Sequence, residues 1–314
     1  MARAFTFPGQ GSQFVGMGKE LADAFPTARH VFEEIDEALK QPLSKLMFGG
    51  PEGDLTLTEN AQPALMAVSL AVMRTLEADF NVGLAGTAKF VAGHSLGEYS
   101  ALAAAGAITV ADTARLLKLR GQAMQRAVPV GEGAMAALLG LDFADARAAA
   151  DESAVGGEVC AAANDNAPGQ VVISGHKAAV ERAIDAAKER GAKRAMMLPV
   201  SAPFHCALMQ PAADEMKDAL GDTAIAAPAV PLVANVTASA TSDPVEIRDL
   251  LVRQVTGVVR WRESVLYMGG SDVDTLVELG AGKVLTGMVR RINRDMNGVS
   301  VQTPEDMENF ARSL

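Results

Sequence analysis

Ser95 is the best candidate for a reactive group in this chain. It lies at the centre of the pattern G-x-S-x-G, formed by Gly93-His94-Ser95-Leu96-Gly97. A short apolar run precedes this pattern, and a predicted helix from Glu98 to Ala105 follows it. A strand, sharp turn and helix in this order would expose the serine hydroxyl, and the first N–H groups of the helix could stabilise an anion. The pattern predicts a catalytic serine; the alternative is a solvated serine in an ordinary turn.

A serine hydroxyl is a poor nucleophile until a base removes its proton. The chain has four histidines. We expect His30 and His176 near the surface, and we expect the side chain of His94 to project away from its neighbour Ser95. His205 lies where the chain re-enters its larger predicted domain, and a cleft between domains is a usual place for an active site. His205 is therefore the predicted general base.

The group that would orient this histidine is less clear from the residues. An α/β-hydrolase places an acidic residue between its serine and its histidine, usually in a loop at a strand end. No acidic residue between Ser95 and His205 stands in such a loop. An amide or a backbone carbonyl could orient the imidazole instead, and Gln254 is a candidate.

Arg120 lies on the apolar face of a predicted amphipathic helix from Ala111 to Val128. A buried arginine is unfavourable unless its charge is compensated. Two explanations stay open at this point. The side chain forms an internal salt bridge or extends to solvent, or its guanidinium binds a substrate carboxylate through two parallel hydrogen bonds.

The loop Pro8 to Gln13 contains Gly9-Gln10-Gly11. Glycines allow a backbone to approach Ser95 closely, so the N–H groups of Gln10 and Leu96 could together form an oxyanion hole. The loop does not fit a dinucleotide-binding motif, because Phe14 occupies the position of the third glycine.

Composition excludes several classes of function. A formal net charge of −10 argues against general nucleic-acid binding. The two cysteines, Cys160 and Cys206, give no disulfide framework, so we expect a cytoplasmic protein. The sequence has no secretory signal and no run of about 18 apolar residues, so we expect no membrane association. We also expect no cofactor and no metal site. The sequence shows no heptad seam, and although it does not determine an oligomeric state, we expect a monomer.

Predicted strands alternate with helices along most of the chain, which is typical of a parallel sheet with helices on both faces. The segments assigned to this domain are a strand at 2–7, a helix at 61–79, a strand at 89–92, a strand at 272–279 and a helix at 283–293. The domain would comprise residues 1–130 and 200–314, with loops and short elements over most of the second part.

Residues 131–199 have a different pattern, with the order strand, helix, strand, strand, helix, strand. The predicted elements are strands at 134–141, 158–163, 170–174 and 192–200, helices at 142–154 and 177–190, and a turn at 164–169. This βαββαβ order is that of a ferredoxin-like fold. We therefore predict a small ferredoxin-like domain inserted into the larger one.

Taken together, these motifs resemble the malonyl-CoA:acyl carrier protein transacylases, acyltransferases of fatty acid synthesis with related domains in polyketide synthases. The resemblance covers nearly the whole chain. The blocks that carry it are FPGQGSQ at 7–13, GHSLGEYSAL at 93–102, RGQAMQ at 120–125, NDNAPGQVVISG at 164–175, SAPFHCALM at 201–209 and ELGAGKVL at 278–285.

The resemblance implies an α/β-hydrolase-like core with a ferredoxin-like insert. It implies transfer of a malonyl group from malonyl-CoA to the phosphopantetheine thiol of acyl carrier protein through a malonyl-serine intermediate. Ser95 and His205 would form the catalytic dyad, a carbonyl of Gln254 would orient the histidine, and Arg120 would bind the malonyl carboxylate. Gln10 would be one of the oxyanion donors.

The resemblance also implies that further residues line the substrate cleft: Leu96 as the second oxyanion donor, with Gln254, Asn164, Asn166, Met124 and Phe204 near the substrate. Phe204 stands where many relatives carry a serine. In polyketide-synthase acyltransferases a phenylalanine there accompanies malonyl rather than methylmalonyl, and its bulk leaves less room for an α-methyl branch.

Three alternatives stay open. A thioesterase or carboxylesterase would use the same serine, histidine and oxyanion hole, but would release a free acid. A catalytically silent docking module would not react at Ser95. An acyltransferase that serves a polyketide pathway would differ only in its carrier protein.

Overall fold

The computed structural model describes residues 2–314. Its strands are β1 (Arg3–Phe7), β2 (Ala88–Gly93), β3 (Gly133–Leu139), β4 (Cys160–Ala167), β5 (Gln170–His176), β6 (Arg194–Met197), β7 (Leu232–Ala234), β8 (Ser239–Thr241), β9 (Thr275–Leu279) and β10 (Asn297–Val301). Its helices are α1 (Lys19–Ala24), α2 (Pro26–Leu39), α3 (Leu43–Gly49), α4 (Glu52–Thr56), α5 (Thr58–Phe80), α6 (Leu84–Thr87), α7 (Gly97–Ala104), α8 (Val110–Ala127), α9 (Phe143–Ser153), α10 (Lys177–Glu189), α11 (Gln210–Gly221), α12 (Pro244–Thr256), α13 (Trp261–Gly270), α14 (Thr286–Ile292) and α15 (Pro304–Arg312). A short 3₁₀ turn, Ala207–Met209, precedes α11.

Six strands form the large sheet, in the order β10-β9-β1-β2-β7-β8. Neighbouring strands are parallel except for β7 and β8, which are antiparallel. The predicted parallel sheet is therefore confirmed, with one short antiparallel strand at its edge. Strands β7 and β8 have three residues each, which is too short for a periodic hydrophobic pattern to be visible in the sequence.

Alternate residues of the large sheet pack into separate cores on its two faces. Phe5 of β1 is in register with Val91 and Val277, and all three belong to the main core with α5, α7 and α8. Its neighbour Ala4 is in register with Phe90 and Leu276, which pack into a second core with α13 and α14. Helices thus cover both faces, as expected for buried parallel strands.

Four strands form the small sheet, which is antiparallel and has the order β4-β5-β3-β6. One face packs on α9 and α10 through small side chains such as Ala136, Ala149 and Ala183. Met135, next to Ala136 on β3, and Val172, next to Ile173 on β5, point to the opposite face and join the main core instead. The second face of the small sheet therefore lies against the larger body.

The structure corrects the predicted turn at 164–169. Strand β4 continues to Ala167, so Asn164 and Asn166 lie on a strand, and the turn is confined to Pro168 and Gly169. The extension is stabilised by pairing with the larger body, because the Asp165 N–H donates to the Val259 carbonyl at 2.9 Å.

Other differences concern the lengths of elements. Strand β6 covers only residues 194–197 of the predicted 192–200, and α14 begins at Thr286 rather than at Lys283. The stretch read as loops and short elements after residue 200 contains three helices of 10 to 13 residues, α11, α12 and α13. The other strands and helices differ from the predicted bounds by a few residues.

Helices α5 and α8 bring two polar side chains together inside the main core. Helix α8 begins at Val110, where the Thr109 hydroxyl accepts a hydrogen bond from the Asp112 N–H at 3.1 Å. A Cβ atom at Gly121 would lie 2.5 Å from Cα of Glu59, next to the start of α5. This close approach allows Gln62 of α5 to contact Arg120 of α8.

Across residues 2–314, none of the helices combines the length and apolar character needed to span a bilayer.

Candidate active site

Ser95 lies on a tight turn between β2 and α7, with a positive φ of 53°. The two glycines of the motif are sterically necessary. A Cβ at Gly93 would lie 1.9 Å from the Gly97 carbonyl, and a Cβ at Gly97 would lie 2.2 Å from the Phe7 carbonyl oxygen. Asn235, which follows β7, fixes the turn by accepting the Ser95 N–H at 2.8 Å and donating to the Gly93 carbonyl at 2.7 Å. The strained turn thus presents the hydroxyl at the carboxyl end of a parallel strand.

His205 reaches Ser95 from the loop before the 3₁₀ turn. Its Nε2 lies 2.8 Å from the Ser95 Oγ, and its Nδ1 lies 2.9 Å from the backbone carbonyl oxygen of Gln254. Because a carbonyl only accepts, Nδ1 carries the proton and Nε2 is free to accept the serine proton. Burial, together with the nearby charge of Arg120, lowers the pKa of His205 to about 3. The imidazole is therefore a neutral base at physiological pH.

Arg120 is 1% exposed and contacts the nucleophile directly. One Nη atom donates to Gln62 at 2.7 Å, and the other donates both to the Gln254 side-chain oxygen at 2.7 Å and to the Ser95 Oγ at 3.0 Å. Among residues 2–314, no carboxylate forms a salt bridge with it, and its Nε–H has no partner. The first explanation offered from the sequence is an internal salt bridge or extension of the side chain to solvent. In the described part of the chain, Arg120 forms no salt bridge and is almost fully buried.

Gln254 is fully buried beneath the turn, so its side chain contacts other site residues. Its amide nitrogen donates to the Ser95 carbonyl at 2.9 Å and to the Glu98 carboxylate. Its amide oxygen accepts from Arg120. A single residue thus contacts the histidine through its backbone and the serine and the arginine through its side chain.

Sequence reasoning missed three residues of this arrangement, namely Glu98, Asn235 and Gln62. Glu98 is 2% exposed and accepts the Asn235 N–H at 2.8 Å. Burial raises its pKa to about 7, and Arg120 opposes this rise. Glu98 is the single charged residue of α7, which is a signal that the sequence offered. Gln62 and Asn235 gave no comparable signal.

Of the predicted oxyanion donors, Leu96 directly follows Ser95 in the turn, and Gln10 lies on the glycine-rich loop, where a Cβ at Gly9 would lie 2.8 Å from the His94 carbonyl oxygen. The side chain of Gln10 accepts a hydrogen bond from the Thr58 hydroxyl at 2.8 Å, which anchors the glycine-rich loop to α5. In the described part of the chain, the backbone N–H groups of Gln10 and Leu96 have no hydrogen-bond partner. Both groups are therefore free to bind an oxygen atom.

His94 connects the turn to the small sheet rather than to Ser95. Its Nε2 lies 2.8 Å from the Asn166 side-chain oxygen and 3.4 Å from the Asn164 side-chain nitrogen. Burial lowers the pKa of His94, so its imidazole is neutral. The structure thus brings Asn164 and Asn166 to the residue next to the nucleophile.

Phe204 and Met124, both predicted near the substrate, are buried in the main core. Phe204 directly precedes His205 and is 8% exposed. Met124 is 1% exposed, one helical turn after Arg120, with its sulfur atom 3.7 Å from the Gln62 amide nitrogen. Met124 thus contacts a partner of Arg120, and a contact of either side chain with substrate stays a prediction.

Similarity to known proteins assigns this site to a family. The family described as "Acyl transferase domain" matches residues 4–304, and the chain belongs to it. The malonyl CoA-acyl carrier protein transacylase of Bacillus subtilis (strain 168) is 46% identical, over 99% of this chain and 96% of its own length. The family resemblance predicted from the sequence is confirmed, and the chain is an acyltransferase.

Solved structures agree with this assignment. The acyl-carrier-protein-S-malonyltransferase from Bartonella henselae is 57% identical, with a TM-score of 0.96 over 100% of this chain and 99% of its own. A malonyl-transacylase solved in complex with its type II PKS acyl-carrier protein is 42% identical, with a TM-score of 0.96 over the full length of both chains.

Proposed function

We propose that this protein transfers a malonyl group from malonyl-CoA to the phosphopantetheine thiol of acyl carrier protein, through a malonyl-serine intermediate, and supplies extender units for fatty acid synthesis. The observation that carries the proposal is the position of the Ser95 hydroxyl, which contacts both the His205 imidazole and the Arg120 guanidinium. A nucleophile, a base and a cation for a carboxylate substrate therefore meet at one oxygen atom.

In the first half-reaction, Nε2 of His205 takes the proton of Ser95 as its Oγ attacks the thioester carbonyl carbon. The N–H groups of Gln10 and Leu96 stabilise the oxyanion that forms, and the loss of one such donor typically costs about 10²–10³ in rate. The carbon–sulfur bond then breaks, and the proton on Nε2 passes to the CoA sulfur. A malonyl ester of Ser95 remains.

In the second half-reaction, the thiol of the carrier protein replaces CoA. His205 takes the thiol proton, and the sulfur attacks the ester carbonyl carbon. The bond to the Ser95 Oγ breaks, and the serine recovers its proton from Nε2. The two half-reactions are thus the reverse of each other in chemistry, which suits a transferase with two thioester substrates.

Selectivity for malonyl is assigned to groups around the nucleophile. Arg120 binds the malonyl carboxylate and orients the acyl group. The side chain of Phe204 limits the room for an α-methyl branch, and Met124 packs against Gln62, which holds Arg120. Asn164 and Asn166 form the wall of the cleft on the side of the small sheet. The side chain of Gln254 is assigned to holding Arg120.

We further infer the finer description of the fold. A ferredoxin-like insert at 131–199 is supported by the βαββαβ order and by the order of the small sheet, β4-β5-β3-β6. If these four strands are numbered 1 to 4 along the chain, that order is 2-3-1-4. An α/β-hydrolase-like core, formed by residues 1–130 and 200–314, is supported by the nucleophile turn after a parallel strand. A cytoplasmic location is supported by the two free cysteines. A monomer is the expected state.

The test is covalent labelling of intact protein with malonyl-CoA, read by mass spectrometry. We expect a gain of one malonyl group on the peptide that contains Ser95, and none in Ser95→Ala. Ser100→Ala is the matched control, because Ser100 is a buried serine of α7 whose hydroxyl has no partner in the described residues. Undiminished labelling of Ser95→Ala would exclude the proposed intermediate.

The alternatives differ in the fate of the acyl group. A hydrolase would release free malonate, and a silent docking module would not be labelled at all. A polyketide pathway is favoured by one observation, the 42% identity to a transacylase solved with a type II PKS carrier protein. Comparison of kcat/KM for carrier proteins of both pathways distinguishes the two.

A further inference from the structure

The proposed function does not explain how the buried charge of Arg120 is compensated in the protein without substrate. Its guanidinium is buried, so its charge must be compensated inside the protein. A carboxylate in direct contact would compensate it, but would also occupy the N–H groups that a substrate carboxylate needs. In residues 2–314 the three side chains to which Arg120 donates are neutral, namely Gln62, Ser95 and Gln254.

The carboxylate of Glu98 lies on the opposite side of the Gln254 amide. The amide nitrogen donates to Glu98, and the amide oxygen accepts from Arg120. The reverse orientation of the amide would point its N–H groups at the guanidinium and its oxygen at the carboxylate. The amide dipole is therefore aligned between a negative and a positive group, which favours both charges.

Glu98 is otherwise placed to hold its negative charge. It lies in the first turn of α7, where the helix dipole favours a negative charge, and it accepts the N–H of Asn235 at 2.8 Å. The Arg120 Cζ atom also lies over the Tyr99 ring, 5.6 Å from the ring centroid. Tyr99 is neutral, which leaves Glu98 as the nearby counter-charge.

We propose that Glu98 is a positioning residue that balances the buried charge of Arg120 through the Gln254 amide and so leaves the guanidinium available to a substrate carboxylate. That the Arg120 guanidinium binds a substrate carboxylate rests on the proposed function. The charge balance itself does not, because it exists in the protein without substrate. A test on stability therefore separates the two.

The test is a double-mutant cycle on thermal unfolding without substrate, with Glu98→Gln, Arg120→Met and the double variant. It is run at about pH 8.5, where Glu98 is ionised although burial raises its pKa to about 7. Each single variant leaves one buried charge unbalanced, whereas the double variant leaves none. We expect the Tm of the double variant to lie at least about 3 °C above the value given by adding the two single losses. Additive losses, within about 1 °C, would overturn the proposal.

Glu278→Gln is the matched control. Glu278 is also a fully buried glutamate, and it accepts hydrogen bonds from the N–H groups of Leu285 and Thr286 near the start of α14. No cation forms a salt bridge with it in the described part of the chain. Its loss should add to that of Arg120→Met within about 1 °C. If the cycle of Glu278→Gln with Arg120→Met were as non-additive as that of Glu98→Gln with Arg120→Met, the effect would come from Arg120→Met alone and would overturn the proposal.

A single variant that does not fold still gives a result. If Glu98→Gln fails to fold, the proposal predicts that Arg120→Met restores folding to it, and failure in both backgrounds overturns the proposal. A second readout is the ratio of kcat/KM for malonyl-CoA to that for acetyl-CoA. Glu98→Gln should lower this ratio at least about fivefold, whereas a merely structural role would lower both values equally.

Discussion

The large and the small sheet both reach the site, but they hold their side chains there by different contacts. The large sheet and its helices fix Ser95, His205 and Arg120 through a buried network around Gln254. The small sheet reaches the site through β4, whose Asn166 contacts the partly exposed side of the turn through His94.

Burial accounts for the difference between these contacts. His205, Arg120 and Gln254 are buried, so a lost hydrogen bond between them leaves an unsatisfied group without access to water. Asn166 is partly exposed, so water can replace its contact. Substitutions in the large-sheet network should therefore affect catalysis far more than substitutions on β4.

The largest difference is expected between two histidines on either side of Ser95. His205→Ala should lower kcat/KM for malonyl transfer about 10³-fold, because the serine loses its general base. His94→Ala is the control, since His94 is also a neutral histidine next to the nucleophile but is partly exposed and contacts the small sheet, and it should lower kcat/KM less than about tenfold. Equal losses in steady-state transfer assays would remove the distinction between the two sheets.

Arg120 provides the next comparison, between two substrates. Arg120→Ala should lower kcat/KM for malonyl-CoA about 10²-fold and that for acetyl-CoA less than about tenfold, because acetyl has no carboxylate to bind. The measurement is competition between the two thioesters for acyl-enzyme formation. An unchanged ratio between them would show that the guanidinium does not select the acyl group.

The third prediction concerns acid stability. The folded state keeps His205 neutral, with a pKa of about 3, whereas the unfolded chain binds a proton near pH 6.5. Stability from this residue is therefore complete above pH 6.5 and is lost as pH falls toward 3. At pH 5 the loss is about 2 kcal/mol. The decrease in Tm between pH 8 and pH 5 should be about 3 °C smaller in His205→Gln than in the unaltered protein. Equal decreases would mean that His205 is protonated in the folded protein.

The smallest effect is expected on the small sheet. Asn166→Ala removes the hydrogen bond to His94 and should lower kcat/KM about threefold to tenfold, as expected for one partly exposed contact. The same transfer assay measures it. If Asn166→Ala lowered kcat/KM as much as His205→Ala does, Asn166 would have to act in the chemical step.

The residues that the sequence located most clearly are those with local signals. Ser95 stands in a strand, turn and helix pattern, and Arg120 interrupts a helical periodicity that the structure reproduces within a residue at each end of α8. His205 followed from the change of pattern near residue 200. All three lie together in the structure.

The rest of the site depends on contacts that are distant in the sequence. Asn235 contacts Glu98 and Ser95, and these partners lie 137 and 140 residues away. Strand β7, which carries it there, is too short for a periodic signal. The extension of β4 past Ala163 depends on pairing with Val259 and on the ion pair of Asp165 with Arg262. Neither partner is predictable from the polar segment Asn164 to Asn166 alone.

The central claim is that the site holds an acyl group on Ser95 until a thiol arrives. The most direct measurement is a single-turnover chase, in which protein labelled with malonyl-CoA is freed of excess substrate and divided into two portions. One portion receives carrier protein with its phosphopantetheine thiol, and the other receives buffer alone. The malonyl group should move from Ser95 to the carrier thiol at a rate at least about 10²-fold higher than the rate at which buffer alone releases free malonate. Release of free malonate at the same rate in both portions would contradict the account and identify a hydrolase.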